Sequence, residues 1–115
     1  MVMPKPPKDF LIDSFLYKEY LDGSNSNWSD PQYAEPVLIE HCRIDRGAEY
    51  SSTTSGKQLL YNAVVFCYGG MTTPLPEFKT QSILRFDDKD HVVTKVIPIY
   101  EAYAKTIYSY ELEVV

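Results

Sequence analysis

Apolar and polar side chains alternate most regularly over residues 107–115, at the C-terminal end of the chain. One side of this run carries Tyr108, Tyr110, Leu112 and Val114, and the other carries Ser109, Glu111 and Glu113. Successive side chains of a β-strand point to opposite faces, so a period of two separates a buried face from a solvated one. The pattern predicts a half-buried antiparallel strand.

Five further runs are rich in β-branched and aromatic residues and are bounded by turn-forming residues. They cover 11–21, 37–45, 58–68, 81–86 and 91–97. Together with 107–115 they make six predicted strands, and no run has a helical period of comparable strength. The predicted fold class is mostly β, a small six-stranded antiparallel β-barrel or sandwich with long loops.

Two of these runs carry a more specific expectation. In 37–45 the apolar phase changes at His41, as one extra residue in a β-bulge would cause. Residues 58–68 are apolar almost without interruption. Such a run predicts a central strand buried on both faces.

A hairpin is expected where two β-rich runs flank a short polar turn. The runs 81–86 and 91–97 lie on either side of Asp87-Asp88-Lys89-Asp90. Short acidic residues are common in such turns. Pro98 follows the second run, and because proline has no N–H to give to a strand ladder, we expect it to end that strand.

The rest of the chain is predicted to be irregular. Residues 22–32, 46–57 and 69–79 consist largely of turn formers, and 46–57 is a polar loop of a length that compact domains seldom use without a function. Residues 1–10 begin with a Pro- and Lys-rich segment, which predicts a flexible N-terminal arm. Residues 11–115 are predicted to form a single barrel domain.

Charge and composition narrow the class of protein. The chain has 115 residues, 44% of them hydrophobic and 23% charged, and its formal net charge is -5. That charge argues against a sequence-independent hold on nucleic acid, which rests on clustered Lys and Arg. The N-terminus lacks the apolar core of a signal peptide, and no run is long enough to span a membrane. We expect a reducing compartment in which Cys42 and Cys67 are buried free thiols.

No pattern of reactive residues emerges from the sequence. His41, Cys42, Cys67 and His91 do not have the spacing of a zinc site, and the acidic residues of 87–90 lack the remainder of a calcium loop. There is no Gly-x-Ser-x-Gly elbow and no phosphate-binding glycine loop. We therefore assign no catalytic, cofactor-binding or metal-binding residue and predict that the protein is not an enzyme.

Tyrosine is unusually frequent in this chain, with ten residues. Tyrosine combines a large ring with a polar tip and is enriched where proteins meet other proteins. It is also a good strand former, so the count has two explanations that the sequence leaves open. A nucleic-acid-binding barrel would interleave aromatics with Lys and Arg, whereas Tyr108-Ser109-Tyr110-Glu111 interleaves them with Glu.

The order of these features resembles one protein family. The features are Tyr17-Lys18-Glu19-Tyr20, the segment from Glu35 to Ile44, the apolar strand from Lys57 to Phe66, the segment from Pro74 to Phe78, the 83–97 hairpin and the strand from Tyr108 to Val115. From about Leu11 to Val115 this order resembles the small minor capsid proteins encoded in the head–tail gene blocks of tailed bacteriophages and prophages of Gram-positive bacteria. The hairpin turn departs from that resemblance, because such proteins often carry a glycine where this chain has Asp88-Lys89-Asp90.

The resemblance implies a structural role in the virion. Similar proteins are head-closure, or stopper, proteins: β-barrels that form a homo-oligomeric ring in the phage neck, between portal or adaptor and tail, around a channel through which DNA passes without specific binding. It implies synthesis in the host cytoplasm, and contacts made by strand edges, by the 46–57 and 69–79 loops and by the arm. The alternatives are a tail-completion or tail-terminator protein, or a small barrel that binds nucleic acid or a peptide.

Overall fold

A computed structural model describes residues 4–21, 32–53 and 56–115 of the chain. Apart from a short 3-10 helix over Lys8–Phe10, the regular structure in these ranges is β. The strands are β1 (Asp13–Lys18), β2 (Tyr20–Leu21), β3 (Gln32–Tyr33), β4 (Val37–Asp45), β5 (Glu49–Thr53), β6 (Gly56–Tyr61), β7 (Ala63–Tyr68), β8 (Ile83–Phe86), β9 (Lys89–Tyr100) and β10 (Ile107–Val114).

Six of the strands close into an antiparallel barrel. Their order around it is β1-β4-β7-β10-β9-β8, with β8 pairing back onto β1. The mostly β class and the six-stranded antiparallel barrel are thus confirmed, and the barrel rather than the open sandwich is the form observed. Closure matters because it pairs the outermost strands of what would otherwise be an open sheet.

One long strand, β4, changes its pairing partner along its length. β4 pairs with β1 over its first residues and with β7 over Arg43, Ile44 and Asp45. The change of partner follows a register shift in the β1–β4 pair, and His41 there has a φ of 62°. The predicted bulge at His41 is confirmed, and it bends β4 from one side of the barrel to the other.

The β8–β9 hairpin is confirmed with a tighter turn than the sequence indicated. Only Asp87 and Asp88 separate the strands, with φ of 54° and 59°. Positive φ at both central residues is the feature of a type I′ turn, which suits the twist of a two-residue hairpin. Aspartate tolerates this left-handed conformation better than most side chains, so the turn forms without the glycine that the family resemblance led us to expect.

The predicted polar loop over 46–57 is wrong. Residues in this range form β5 and the beginning of β6, which pair with each other from Glu49↔Tyr61 to Thr53↔Gly56. Serine and threonine are common in turns, but threonine is also a good strand former, so their presence does not exclude a two-stranded ribbon. The predicted strand 58–68 is also divided, at Asn62, into the end of β6 and the whole of β7.

The double-sided burial predicted for 58–68 is wrong for β7. Its side chains alternate between buried and half-buried, with Ala63, Val65 and Cys67 inside the barrel. A barrel strand has one interior and one exterior face, whereas a strand covered by helices on both faces has two interior ones. The apolar residues between the buried ones therefore lie on the outer surface.

Pro98 does not end β9, as was predicted. The strand continues to Tyr100, and Pro98 lies opposite Tyr110 of β10. Within the described residues, β9 pairs over 94–100 with β10 alone. Proline is tolerated at this place because one side of the strand is not used by a neighbouring ladder.

The connection over 69–79 is irregular, as predicted, apart from a single bridge between Thr73 and Glu40. The predicted loop 22–32 lies outside the described residues except for Gln32, which begins β3. In the arm, residues 4–7 have no regular structure and 8–10 form the 3-10 helix. The flexibility of residues 1–10 stays a prediction.

The core fills the interior of the barrel with side chains from all six strands and from one loop. Its members are Phe15, Tyr17, Ile39, Cys42, Ile44, Ala63, Val65, Cys67, Phe78, Leu84, Phe86, Val93, Tyr110, Leu112 and Val114. Tyr110, Leu112 and Val114 are three of the four residues that the alternation of 107–115 placed on one face. Burying these side chains is the main favourable term in folding.

Candidate assembly surfaces

One end of the barrel is closed by aromatic rings. Phe78 enters from the 69–79 connection and meets Tyr17 and Tyr110 edge-on, with ring centroids 5.0 Å and 5.2 Å away. The Tyr17 hydroxyl accepts a hydrogen bond from the Lys79 N–H at 3.0 Å and lies 3.3 Å from the Ser82 hydroxyl. This aromatic end leaves no opening for a ligand along the barrel axis, because the rings occupy it.

The other end carries a network of charges. Arg46 donates two hydrogen bonds to the carboxylate of Asp87, at 2.6 Å and 3.2 Å, and one to Asp13 at 3.1 Å. Asp13 also accepts the N–H of Ile44 at 2.9 Å. The hydrogen bond to Asp87 raises the pKa of the Arg46 guanidinium, and the same contact lowers the pKa of Asp87. This charged end ties the start of β1, the end of β4 and the β8–β9 turn together.

A cavity of about 180 Å³ adjoins the charged end. His91 lines it and stacks on Phe86 with ring centroids 4.0 Å apart, and the pKa of His91 is lowered because the ring is partly removed from water. Its Nε2 is buried and makes no hydrogen bond within the described residues.

The four residues considered as metal ligands do not converge. His91 lies at the charged end and His41 at the β4 bulge, while Cys42 and Cys67 are free thiols in the core. Across the described ranges there is no group of three or more His, Cys, Asp or Glu that could hold a metal ion. Nor do the described residues include a helix long and apolar enough to cross a membrane.

The outside of β1 and its neighbours exposes apolar side chains. Leu16 lies directly opposite Leu38 of β4, and these residues are 38% and 49% exposed. We call Leu16 and Leu38 the β1 face. Exposed apolar side chains gathered on one sheet face are a feature of protein–protein contact sites.

The opposite side of the barrel has a different character. β10 is three strands away from β1 around a six-stranded barrel, so the two lie across from each other. There Glu111 stands between Phe66 of β7 and Ile97 of β9, and all three are half-buried. We call Phe66, Ile97 and Glu111 the β10 face. It is a mixed apolar and acidic surface, unlike the β1 face.

The β5–β6 ribbon lies outside the barrel. Within the described residues its two strands pair with each other and with none of the barrel strands. It leaves the barrel after β4 and returns at β7, at the charged end. Free strand edges are places where another chain can add a strand.

An apolar groove of about 280 Å³ runs beside the aromatic end. Tyr17, Val37, Pro74 and Pro76 line it, and Glu19 at its rim pairs with Lys79 at 2.6 Å. Val37 is exposed although it shares the inward side of β4, because the groove opens at this point. Nothing in the sequence indicated this groove, since its lining comes from three distant segments.

The N-terminal arm contacts the body at the tyrosine-rich end of β9 and β10. Lys5 lies 3.5 Å from the carboxylate of Glu101 and over the ring of Tyr108, whose hydroxyl donates to the Pro4 carbonyl. Tyr103, in the connection after β9, is 85% exposed. Some tyrosines therefore fill the core and others lie at the surface. The first group is explained by strand formation and packing, and the second is available for contact with other proteins.

These features define a class. The molecule is a small closed β-barrel whose described residues present faces, a groove and a ribbon, with the interior filled by side chains.

Comparison with known proteins agrees with this class and names the family. The model of a family described as minor capsid protein matches residues 7–114, and the chain belongs to that family. The chain is also 26% identical over 80 residues to an uncharacterized protein, ORF5, of Lactococcus phage LL-H, across 67% of this chain and 68% of the relative. No solved structure matches the chain. The protein is therefore a phage minor capsid protein, a structural component of the virion, as the sequence resemblance implied.

Proposed function

We propose that this minor capsid protein is a subunit of the phage head–tail connector, of the head-closure type. Copies assemble as a ring between portal and tail, around the channel through which DNA leaves the head. The observation that carries the proposal is the pair of unlike surfaces on opposite sides of one barrel. A head-to-tail ring needs two different patches on each subunit, because the contact is not symmetric.

The β1 face supplies the first patch. Leu16 and Leu38 form a cross-strand pair that exposes much of its area in the single chain. Burying such a pair between subunits is favourable by about 25 cal/mol for each Å² of apolar surface removed from water. The β10 face supplies the second patch, where apolar side chains surround Glu111.

The family resemblance led us to expect subunit contacts through strand edges, but in the closed barrel the six strands pair with one another. The β5–β6 ribbon stands apart from the barrel sheet, and it is the element best suited to reach a neighbouring subunit or the adjacent ring. The net charge of -5 suits a channel wall along which DNA moves without being held. These features support a protein that surrounds DNA and does not grip it.

The test is to image the purified protein, alone and mixed with portal particles, by negative-stain electron microscopy. Wild-type protein should form rings or an added layer on the portal. Leu16→Glu and Leu38→Glu should abolish that layer, because each places a charge in the subunit contact. Leu21→Glu is the matched control, since Leu21 is exposed to the same 38% as Leu16 and lies outside the β1 face.

Unchanged layers in both β1-face variants would exclude that face from the contact. A protein that adds no density to portals, stays monomeric at high concentration and binds DNA oligomers tightly would contradict the connector role. Binding of wild-type rings to tail tubes instead of portals would favour the second candidate, a tail-completion or tail-terminator protein.

A further inference from the structure

The two cysteines lie next to each other inside the barrel. β4 and β7 pair with Arg43 opposite Phe66 and Ile44 opposite Val65, so the next position in this register brings Cys42 opposite Cys67. Both residues are fully buried free thiols, at 0% exposure. The Cys42 thiol also donates to the carbonyl of Asp13 at 3.3 Å.

From this arrangement we infer that Cys42 and Cys67 are an oxidation site that closes into an intramolecular disulfide once the particle has left the reducing host cytoplasm. Directly opposed residues of antiparallel strands have Cα atoms about 4.5–5.5 Å apart. That spacing falls within the range of about 4.4–6.8 Å that disulfides require. The bond therefore needs side-chain rotation and no rearrangement of the two strands.

A small peroxide is the oxidant that fits a buried pair, because a bulky disulfide reagent would have to place an adduct in the core. One thiolate attacks an oxygen of hydrogen peroxide, the O–O bond breaks, and a sulfenic acid and water result after proton transfer. The second sulfur then displaces hydroxide from the sulfenic acid, which leaves as water. Two thiols and one peroxide thus give one disulfide and two waters.

The disulfide would close the chain around the β5–β6 ribbon. The segment between the two cysteines, 43–66, contains this ribbon, and β4 and β7 are otherwise paired at only three positions. The covalent link would fix the base of the ribbon to the barrel. Burial raises the pKa of the Cys67 thiol, which makes its oxidation slow in any compartment, so the bond accumulates only where no reductant reverses it.

The inference depends on the virion role and not on ring formation, so it is tested on the isolated native protein. Reduced protein is treated with a small excess of hydrogen peroxide and digested without reductant. We expect a link between tryptic fragments 19–43 and 58–79 with the loss of two hydrogens, and methionine sulfoxides are counted separately in the same map. The oxidised protein should melt roughly 10 °C higher, an increase that a reductant abolishes.

Cys42→Ser and Cys67→Ser are the matched controls, and neither should gain thermal stability on treatment. Sulfinic acids, intermolecular dimers or unreacted thiols in the native wild type would each overturn the inference. Since wild type is compared with itself before and after reduction, the test stands even if a variant fails to fold. The connector proposal is tested separately, by whether the protein with reduced thiols forms rings. Its outcome does not depend on whether the disulfide forms.

Discussion

The two ends of the barrel are closed by opposite kinds of chemistry. At the aromatic end, Phe78 packs among Tyr17 and Tyr110, and hydroxyl groups meet their partners inside the protein. At the charged end, Arg46 joins Asp13 and Asp87, and its own side chain is 46% exposed to water. One end is closed by buried area and the other by ion pairs that remain in contact with solvent.

The difference decides how much each end contributes to stability. Buried aromatic packing is stabilised by surface removed from water and by edge-on ring contacts, and salt hardly affects it. Exposed ion pairs contribute little, because water screens them and two long side chains must be held in place. We therefore expect the aromatic end to dominate stability and the charged end to respond to pH and salt.

The largest effect is expected from Phe78→Ala at the aromatic end. It removes a buried ring that contacts Phe15, Tyr17 and Tyr110. We expect a loss of about 3–5 kcal/mol in the free energy of unfolding, measured by urea denaturation. Phe10→Ala is the control, since Phe10 is 58% exposed. Similar losses in both variants would show that the ring does not close the barrel.

Gly69→Ala tests the close backbone approach beside the same end. A Cβ at residue 69 would lie 2.5 Å from the carbonyl oxygen of Ile107, so β7 and β10 would have to separate. We expect a loss of about 1–3 kcal/mol, the range for overpacking. Gly47→Ala should be almost neutral, because its added Cβ meets Asp45 Oδ1 at an ordinary 3.6 Å. Equal thermal midpoints for the two variants would contradict this expectation.

Arg46→Met should have a smaller effect, although it removes three hydrogen bonds to carboxylates. We expect about 1 kcal/mol or less in low salt, decreasing as salt is added, because the pairs are exposed. Arg85→Met, which removes one exposed pair with Asp90, is the comparison variant. A loss as large as that of Phe78→Ala would mean that the charged end is as important as the aromatic one.

The smallest effect concerns the protonation of His91. Its pKa is lowered from 6.5 by burial, so the folded state binds a proton less readily than the unfolded chain. The stability due to neutral His91 is present above the unfolded pKa and is lost as the pH falls below it. Thermal midpoints between pH 7 and 5 should fall less steeply in His91→Gln than in wild type. An unchanged slope in His91→Gln would refute the assignment.

Patterns local in the chain were predicted well. The alternation of 107–115 identified β10, and the phase change at His41 identified the bulge that bends β4. Both follow from the geometry of a single strand, in which each residue must point to one face or the other. The resemblance in strand order led to the family for the same reason.

The errors arose where a residue type was assigned the secondary structure in which it is most often found. Serines and threonines in 46–57 indicated a loop, yet Ser51, Ser52 and Thr53 belong to β5, which pairs with β6. Pro98 indicated a strand end, yet β9 continues through it because one edge of that strand is free. Exposure on the β1 face was likewise unpredictable, since Leu16 and Phe15 are equally apolar in the sequence.

By itself, the sequence determined the approximate places of the six barrel strands, the inward positions of Tyr110, Leu112 and Val114 and the bulge in β4, because each of these depends on neighbours in the chain. Tertiary structure alone decided that the barrel closes, that apolar side chains gather on the β1 face and that Cys42 meets Cys67. These depend on which strands become neighbours, and that choice is made by burying the whole interior at once. The sequence of one strand does not specify which strand it pairs with or in which register.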